Sequence, residues 1–356
     1  MIGLDSLSAV KKYDRSGMVS VIEGFPKQCR DAEKIGLLSN IPDSFKIKYR
    51  NIVCTGMGGS AIGADIARSY TADESRTPIF VNRNYKLPAF VGRDSLVIVS
   101  SYSGNTEETI SAFKDAVTKG ARIIMITSGG ALKGLAERRS IPVIIVPPGL
   151  QPRAAIGYSF FTLITVLSKI GVISDKRKDI REAIKGLEEL EKTSIGLAVR
   201  APKNLAKDIA RNIHSKIPVI YSEADHLDAV TTRWRGQLAE NAKTIASSNL
   251  FPEMTHNEIV GWECPEKALK DLAVIMLKDR DDNPRVAKRM EIVKKIVSGL
   301  GVKVIEVNSR GTGLLARIFS LIYIGDYVSY YLAILNKRDP TPVERIAYLK
   351  KEMAKR

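Results

Sequence analysis

Residues Leu96–Thr106 read LVIVSSYSGNT, and the class of fold follows from them. A continuous apolar run gives way to small hydroxyl residues around a glycine. A helical pattern then runs to about Lys119, where Gly120 stops it. Uninterrupted β-branched runs, unlike alternating ones, mark strands covered on both faces, which means a parallel sheet with crossover helices. Working outward, the same rhythm recurs. NIVCT at Asn51–Thr55, Pro78–Val81, RIIMIT at Arg122–Thr127 and PVIIV at Pro142–Val146 read as strands, and Ala61–Tyr70 as a helix. Residues 47–170 are therefore expected to form a doubly wound α/β domain, preceded by a helical segment, 1–46.

A helix near 155–170 and the charge-mixed helix Lys176–Lys192 lead into a helical linker, 171–205. The alternation then restarts over 206–342. Pro218–Ser222, Leu272–Leu277 and Lys303–Val307 read as strands; Ala229–Ala242 and Asn283–Ser298 read as helices. A long apolar helix, Leu314–Asn336, follows, and a short C-terminal helix occupies 343–356. The two halves share a pattern but not their loops: SYSGNT after the strand in the first half, KDRDDN in the second.

Two loops could carry chemistry. Gly56-Met57-Gly58-Gly59-Ser60-Ala61 fits G-x-G-x-x-G/A, the turn that admits a dinucleotide pyrophosphate. That use needs a carboxylate at the end of the second strand, and Asn82-Arg83-Asn84 stands there instead. The glycines could equally serve a tight strand-to-helix turn with no ligand. The second loop, Ser101–Thr106, lies where a helix begins, so backbone N–H groups and the positive dipole end converge on it. Hydroxyls at Ser101, Ser103 and Thr106, with Ser60 on the neighbouring loop, make a phosphate monoester its natural occupant. The plainer alternative is a cluster of N-caps. Neither loop has the lysine of a P-loop.

Arg153 lies in the tightly turned PPGLQPRAAIG, Glu240 in RWRGQLAEN, and His256 in the polar stretch PEMTHNE. These segments, with GMGGSAIG, SSYSGNTEET, RGQLAENAK and the terminal DPTPVERIAYLK, resemble the bifunctional phosphoglucose/phosphomannose isomerases of the phosphoglucose isomerase superfamily. The resemblance runs in order from about Asn51 to Lys350. It implies two sugar-isomerase (SIS) domains of flavodoxin-like order and an aldose–ketose isomerase of hexose 6-phosphates. It further implies that Gly59, Ser60, Ser101, Ser103 and Thr106 hold the phosphate, and that Arg153 lies beside the reacting carbons. Glu240 would be the base moving a proton between C1 and C2. His256 and Lys350 would assist ring opening, with the histidine supplied across a homodimer interface. Lys350 is preferred to Lys351 because the family pattern sets the lysine after an apolar residue, here Leu349. Thr341 falls where the family is thought to admit the mannose epimer. No cofactor or metal is implied.

Composition narrows the alternatives. The chain has 356 residues and 55 Lys+Arg against 39 Asp+Glu, a net charge of +16. This suggests either nucleic acid or anionic small substrates. Length alone suggests about two domains. Three cysteines in no paired spacing exclude a disulfide framework and a zinc ribbon. Three histidines without an i,i+4 pair give no zinc site. Phe319–Leu335, the nearest approach to a membrane span, carries Asp326 in its middle. No signal pattern is visible at the N-terminus, so a cytoplasmic protein bound to neither membrane nor nucleic acid is expected. The rival functions are a non-catalytic SIS sensor of sugar phosphates and an isomerase of amino-sugar phosphates.

Overall fold

The computed structural model describes residues 3–355. It contains two compact units. One is Gly24–Gly186 with Gly311–Arg317; the other takes the described residues up to Glu23, Leu187–Arg310 and Ile318 onward. The segment expected at 1–46 thus contributes to both, as does the expected linker.

In the first unit, β1 (Asn51–Thr55), β2 (Ile79–Asn82), β3 (Ser95–Ser101), β4 (Arg122–Thr127) and β5 (Val143–Ile145) form one sheet in the order β2-β1-β3-β4-β5. Every pairing is parallel, with Ile52 opposite Leu96 and Ile98 opposite Ile124. β1 and β3 are buried along their whole length, as continuous apolar runs require. One face packs Val53, Val97, Val99 and Met125 under Phe113 and Ala116 of the helix Glu107–Thr118. That helix ends as expected: Gly120 has φ +69°, a left-handed conformation that glycine adopts without steric cost. The helix Gly130–Glu137, which the sequence reading missed, covers β4 and β5.

The second unit repeats the design with β6 (Ile217–Glu223), β7 (Ser247–Phe251), β8 (Leu272–Lys278) and β9 (Lys303–Asn308), in the order β7-β6-β8-β9 and again all parallel. Here the reading of three strands is corrected to four. β7 is SSNLF, a polar edge strand with only Phe251 fully buried, so it carries no apolar run to find. Tyr221, Phe251, Trp262, Met276 and Met290 centre this core.

Leu314–Leu335 is long and apolar enough to cross a membrane, but its apolar 18-residue stretch is wholly buried within the protein. Its mid-helix charge, Asp326, is neutralised by Arg233 of the helix Asp228–Glu240.

Candidate functional site

Strand order turns between β1 and β3, and ligands of open α/β sheets bind beyond the strand C-termini at such a switch point. The two loops singled out from sequence both emerge there. After β1 the chain turns at Gly58, φ +50°, directly into the helix Gly58–Thr71. Ser60 is buried, and its Oγ accepts a hydrogen bond from the Tyr102 N–H at 3.2 Å. A hydroxyl has one proton and two lone pairs, so this acceptor role still leaves Ser60 a proton to donate.

After β3, Ser101 Oγ and Thr106 Oγ1 lie 3.1 Å apart. Ser101 Oγ also accepts from the Gly104 N–H at 3.2 Å, and Ser103 Oγ accepts from the Asn105 N–H at 3.3 Å. Thr106 occupies the N-cap position of the helix Glu107–Thr118, yet its side chain makes no capping hydrogen bond. The N-cap explanation therefore fails for the residue best placed to fulfil it. The loop depends on Gly104: a Cβ there would lie 1.8 Å from the Gly129 carbonyl oxygen, at φ +68°.

Tyr102 braces the loop from behind. Its hydroxyl donates to the Pro147 carbonyl at 2.8 Å and accepts from the Leu150 N–H at 3.0 Å. This fixes the Pro- and Gly-rich segment leading to Arg153. Arg153 sits in the 3-10 turn Pro152–Ala154 and is buried. The turn rests against Gly59, where a Cβ would meet the Pro152 carbonyl oxygen at 2.2 Å. Gly59, Ser60, Ser101, Ser103, Thr106 and the Arg153 turn thus belong to one end of one sheet.

The position where a dinucleotide fold needs a ribose carboxylate is occupied otherwise. Asn82 donates to Thr55 Oγ1 at 3.3 Å and to the Asn84 carbonyl at 2.9 Å, and Arg83 pairs with Asp65.

The second unit carries the other candidates. Glu240 ends the helix Asp228–Glu240 and is partly exposed. One face of that helix, at four-residue spacing, is tied to the long apolar helix. Arg233 and Gln237 bind Asp326, and Asn241, just past the end, donates to Ser329 Oγ at 2.9 Å. Trp234 Nε1 donates to the Leu321 carbonyl at 2.9 Å. Beyond the helix, Lys243 at φ +57° bridges the carbonyls of Glu240 and, at 3.1 Å, Pro340. Its link reaches the DPTP segment that precedes the helix Glu344–Met353, on which Lys350 is exposed.

His256 ends a 3-10 turn, Glu253–His256, immediately after β7, and is exposed. Its loop is pinned by Glu258, whose carboxylate accepts from Tyr221 OH of β6 and from Asn249 Nδ2 of β7 at 2.5 Å. Tyr221 and Glu258 hold the loop that carries the candidate His256, and the sequence reading missed both, since a tyrosine inside an apolar strand gives no signal of its partner. The corresponding switch point of this sheet lies between β6 and β8. It holds carboxylates: Glu223, Asp279 and Asp282. Among the described residues no group of three or more His, Cys, Asp or Glu is arranged to hold a metal ion.

Two parallel, doubly wound sheets, one with a hydroxyl loop at its switch point, define the SIS-domain class of α/β proteins. The crystal structure of a hypothetical protein, TT0462, from Thermus thermophilus superposes with a TM-score of 0.74 at 14% identity, covering 98% of this chain and 93% of that one. At that identity the likeness shows the fold. Residues 202–353 match the family described as bacterial phospho-glucose isomerase C-terminal SIS domain. A bifunctional phosphoglucose/phosphomannose isomerase of Caldicellulosiruptor bescii is 45% identical over 338 residues, 95% of this chain and 99% of that protein. One from Aquifex aeolicus is 40% identical, covering 86% of this chain and 91% of its own length. The chain belongs to the bifunctional phosphoglucose/phosphomannose isomerase family.

Proposed function

We propose that this protein interconverts glucose 6-phosphate and mannose 6-phosphate with fructose 6-phosphate. The observation that carries this is the hydroxyl loop. Ser101 and Thr106 pair with each other at the switch point instead of capping the helix, in a chain matched along nearly its whole length by relatives named for this reaction.

Gly59, Ser60, Ser101, Ser103 and Thr106 bind the phosphate, where hydroxyl protons and the helix N-terminus favour a dianion. Glu240 removes the proton from C2 of the aldose and returns it to C1, the work of one carboxylate acting as general base and then acid. The cis-enediolate formed between these steps is anionic, and the Arg153 guanidinium is a preorganised counter-charge for it. The two aldoses differ only at C2, which is planar in the enediolate. Turning about C2–C3 lets both epimers share one base, and Thr341 belongs to the segment proposed to permit that turn. His256 and Lys350 assist opening of the sugar ring.

His256 is exposed on its own chain, which supports its delivery to the site of a second copy. The working form on this reading is a homodimer. The net charge of +16 draws in dianionic substrates.

Coupled assays of E240Q on both hexose 6-phosphates test the assignment. Turnover should fall about 10²–10⁴-fold on each, with inorganic phosphate inhibition retained. Wild-type turnover in E240Q would remove Glu240 as the base, and a wild type inactive on both sugars would remove the function.

A further inference from the structure

We propose that Gln28 is a positioning residue for Arg153, acting through the backbone of the turn that carries it. This rests on Arg153 facing the reacting carbons. Gln28 lies in the helix Phe25–Leu38 and is buried, at 5% exposure. Both ends of its carboxamide are spent on one short stretch of chain more than a hundred residues away. Nε2 donates to the Ala154 carbonyl at 2.9 Å, and Oε1 accepts from the Gly157 N–H at 2.7 Å. The amide orientation follows from these partners, since only the nitrogen can donate and only the oxygen can accept here.

These contacts straddle the junction between the Arg153 turn and the helix Ile156–Lys169. Gly157 leaves the room they need: a Cβ there would stand 2.5 Å from Gln28 Oε1. On its other side the turn abuts Gly59, where a Cβ would meet Pro152. Arg153 is thus clamped by a glycine of the phosphate-side helix and by a buried amide. A misplacement near 1 Å in a charge that must meet a developing enediolate costs about 10²-fold in rate.

The test compares wild type with Q28L, Q28E and the double variant Q28L/R153A. Q28L keeps the volume and removes both hydrogen bonds. Its kcat on both hexose 6-phosphates should fall roughly 10- to 100-fold, while inhibition by inorganic phosphate shifts less than about threefold. In the R153A background the same change should cost less than about twofold, because its route to the chemistry is gone. Q28E can mimic the amide only when its carboxyl is protonated and donates to Ala154. Its activity should therefore fall as pH rises, adding an ionisation that wild type lacks. A kcat within about twofold of wild type in Q28L, or an equal loss with and without Arg153, would overturn the proposal.

Phenylglyoxal modification of Arg153, read by peptide mass, follows the clamp without turnover. Release of the turn in Q28L should speed it, and an unchanged rate would count against the clamp. An inactive wild type with accelerated modification in Q28L would remove the isomerase and leave the clamp standing.

Discussion

Arg233 Nη2 holds both oxygens of the Asp326 carboxylate, at 3.0 and 2.8 Å, and both side chains are buried. Burial pushes the Asp326 carboxyl up, and the Arg233 charge, with Gln237, works against that shift. Two charges taken from water into an apolar helix pair contribute little net stability, but either one left alone is costly. The same contact fixes the helix that ends at Glu240, so the pair connects stability to the proposed base.

D326A should therefore destabilise the protein by about 3–5 kcal/mol, because it removes the buried carboxylate that Arg233 binds. The paired change R233M/D326L should recover most of that loss. Urea denaturation of the three proteins measures both. A D326A protein as stable as wild type would show that the ion pair is not what anchors the helix.

Ser101 and Thr106 provide a second check. Removing both hydroxyls in S101A/T106V should raise KM for hexose 6-phosphates about 10²–10⁴-fold, since each hydrogen bond to a charged group is worth about 1.5–3 kcal/mol and two are lost. Maximal turnover and Tm should change little, because neither hydroxyl caps the helix. G104A should behave differently. Its Cβ would collide with the Gly129 carbonyl at 1.8 Å, so folding should suffer along with binding. Steady-state kinetics beside thermal melts separate the two; a lower Tm without a KM change in the double variant would return the hydroxyls to a capping role.

The second sheet predicts a pH dependence. At its switch point burial pushes Asp282 up to about 7, opposed by the Asp279 N–H and reinforced by Glu223. The unfolded chain holds its carboxyls near 3.9, so between about pH 4 and 7 the folded state binds a proton that the unfolded state has released. This group's stabilisation is present below about pH 4 and is lost as pH rises through about 7. D282N lacks that loss. At pH 8 it should be more stable than wild type by on the order of 1 kcal/mol after solvent screening, or a few degrees in Tm, and the gain should vanish near pH 4. A pH-independent difference between the two melting curves would refute the shared burial of these carboxylates.

Much of this architecture is written locally. LVIVS, RIIMIT and NIVCT imply strands buried on both faces; the observed sheet is parallel throughout, with β1 and β3 wholly buried. Gly120 marked the end of its helix because a left-handed residue there has no local substitute. The loops that follow β1 and β3 were legible for the same reason: a glycine-rich turn and a hydroxyl cluster at a helix start have their chemistry within a few residues. Glu240, His256 and Lys350 became candidates only through motif resemblance, since a glutamate on a helix or a lysine on a surface has no distinguishing spacing.

Other features depend on contacts that no spacing encodes. β7 is a polar edge strand held by its pairing to β6, so apolar periodicity passes over it. Asp326 told against a membrane span in the long apolar helix, but its partner Arg233, 93 residues earlier, could not be read from spacing. Whether Thr106 caps its helix or turns to Ser101 was open in sequence, because both are ordinary uses of a threonine hydroxyl at that position; only the folded loop chose. Gln28 is the plainest instance: its amide meets Ala154 and Gly157 across 126 and 129 residues. Local pattern determines which segments form strands and helices, since burial and backbone sterics act over a few residues. The partners of buried polar groups are decided by tertiary packing, because those hydrogen bonds exist only once distant segments have been brought together.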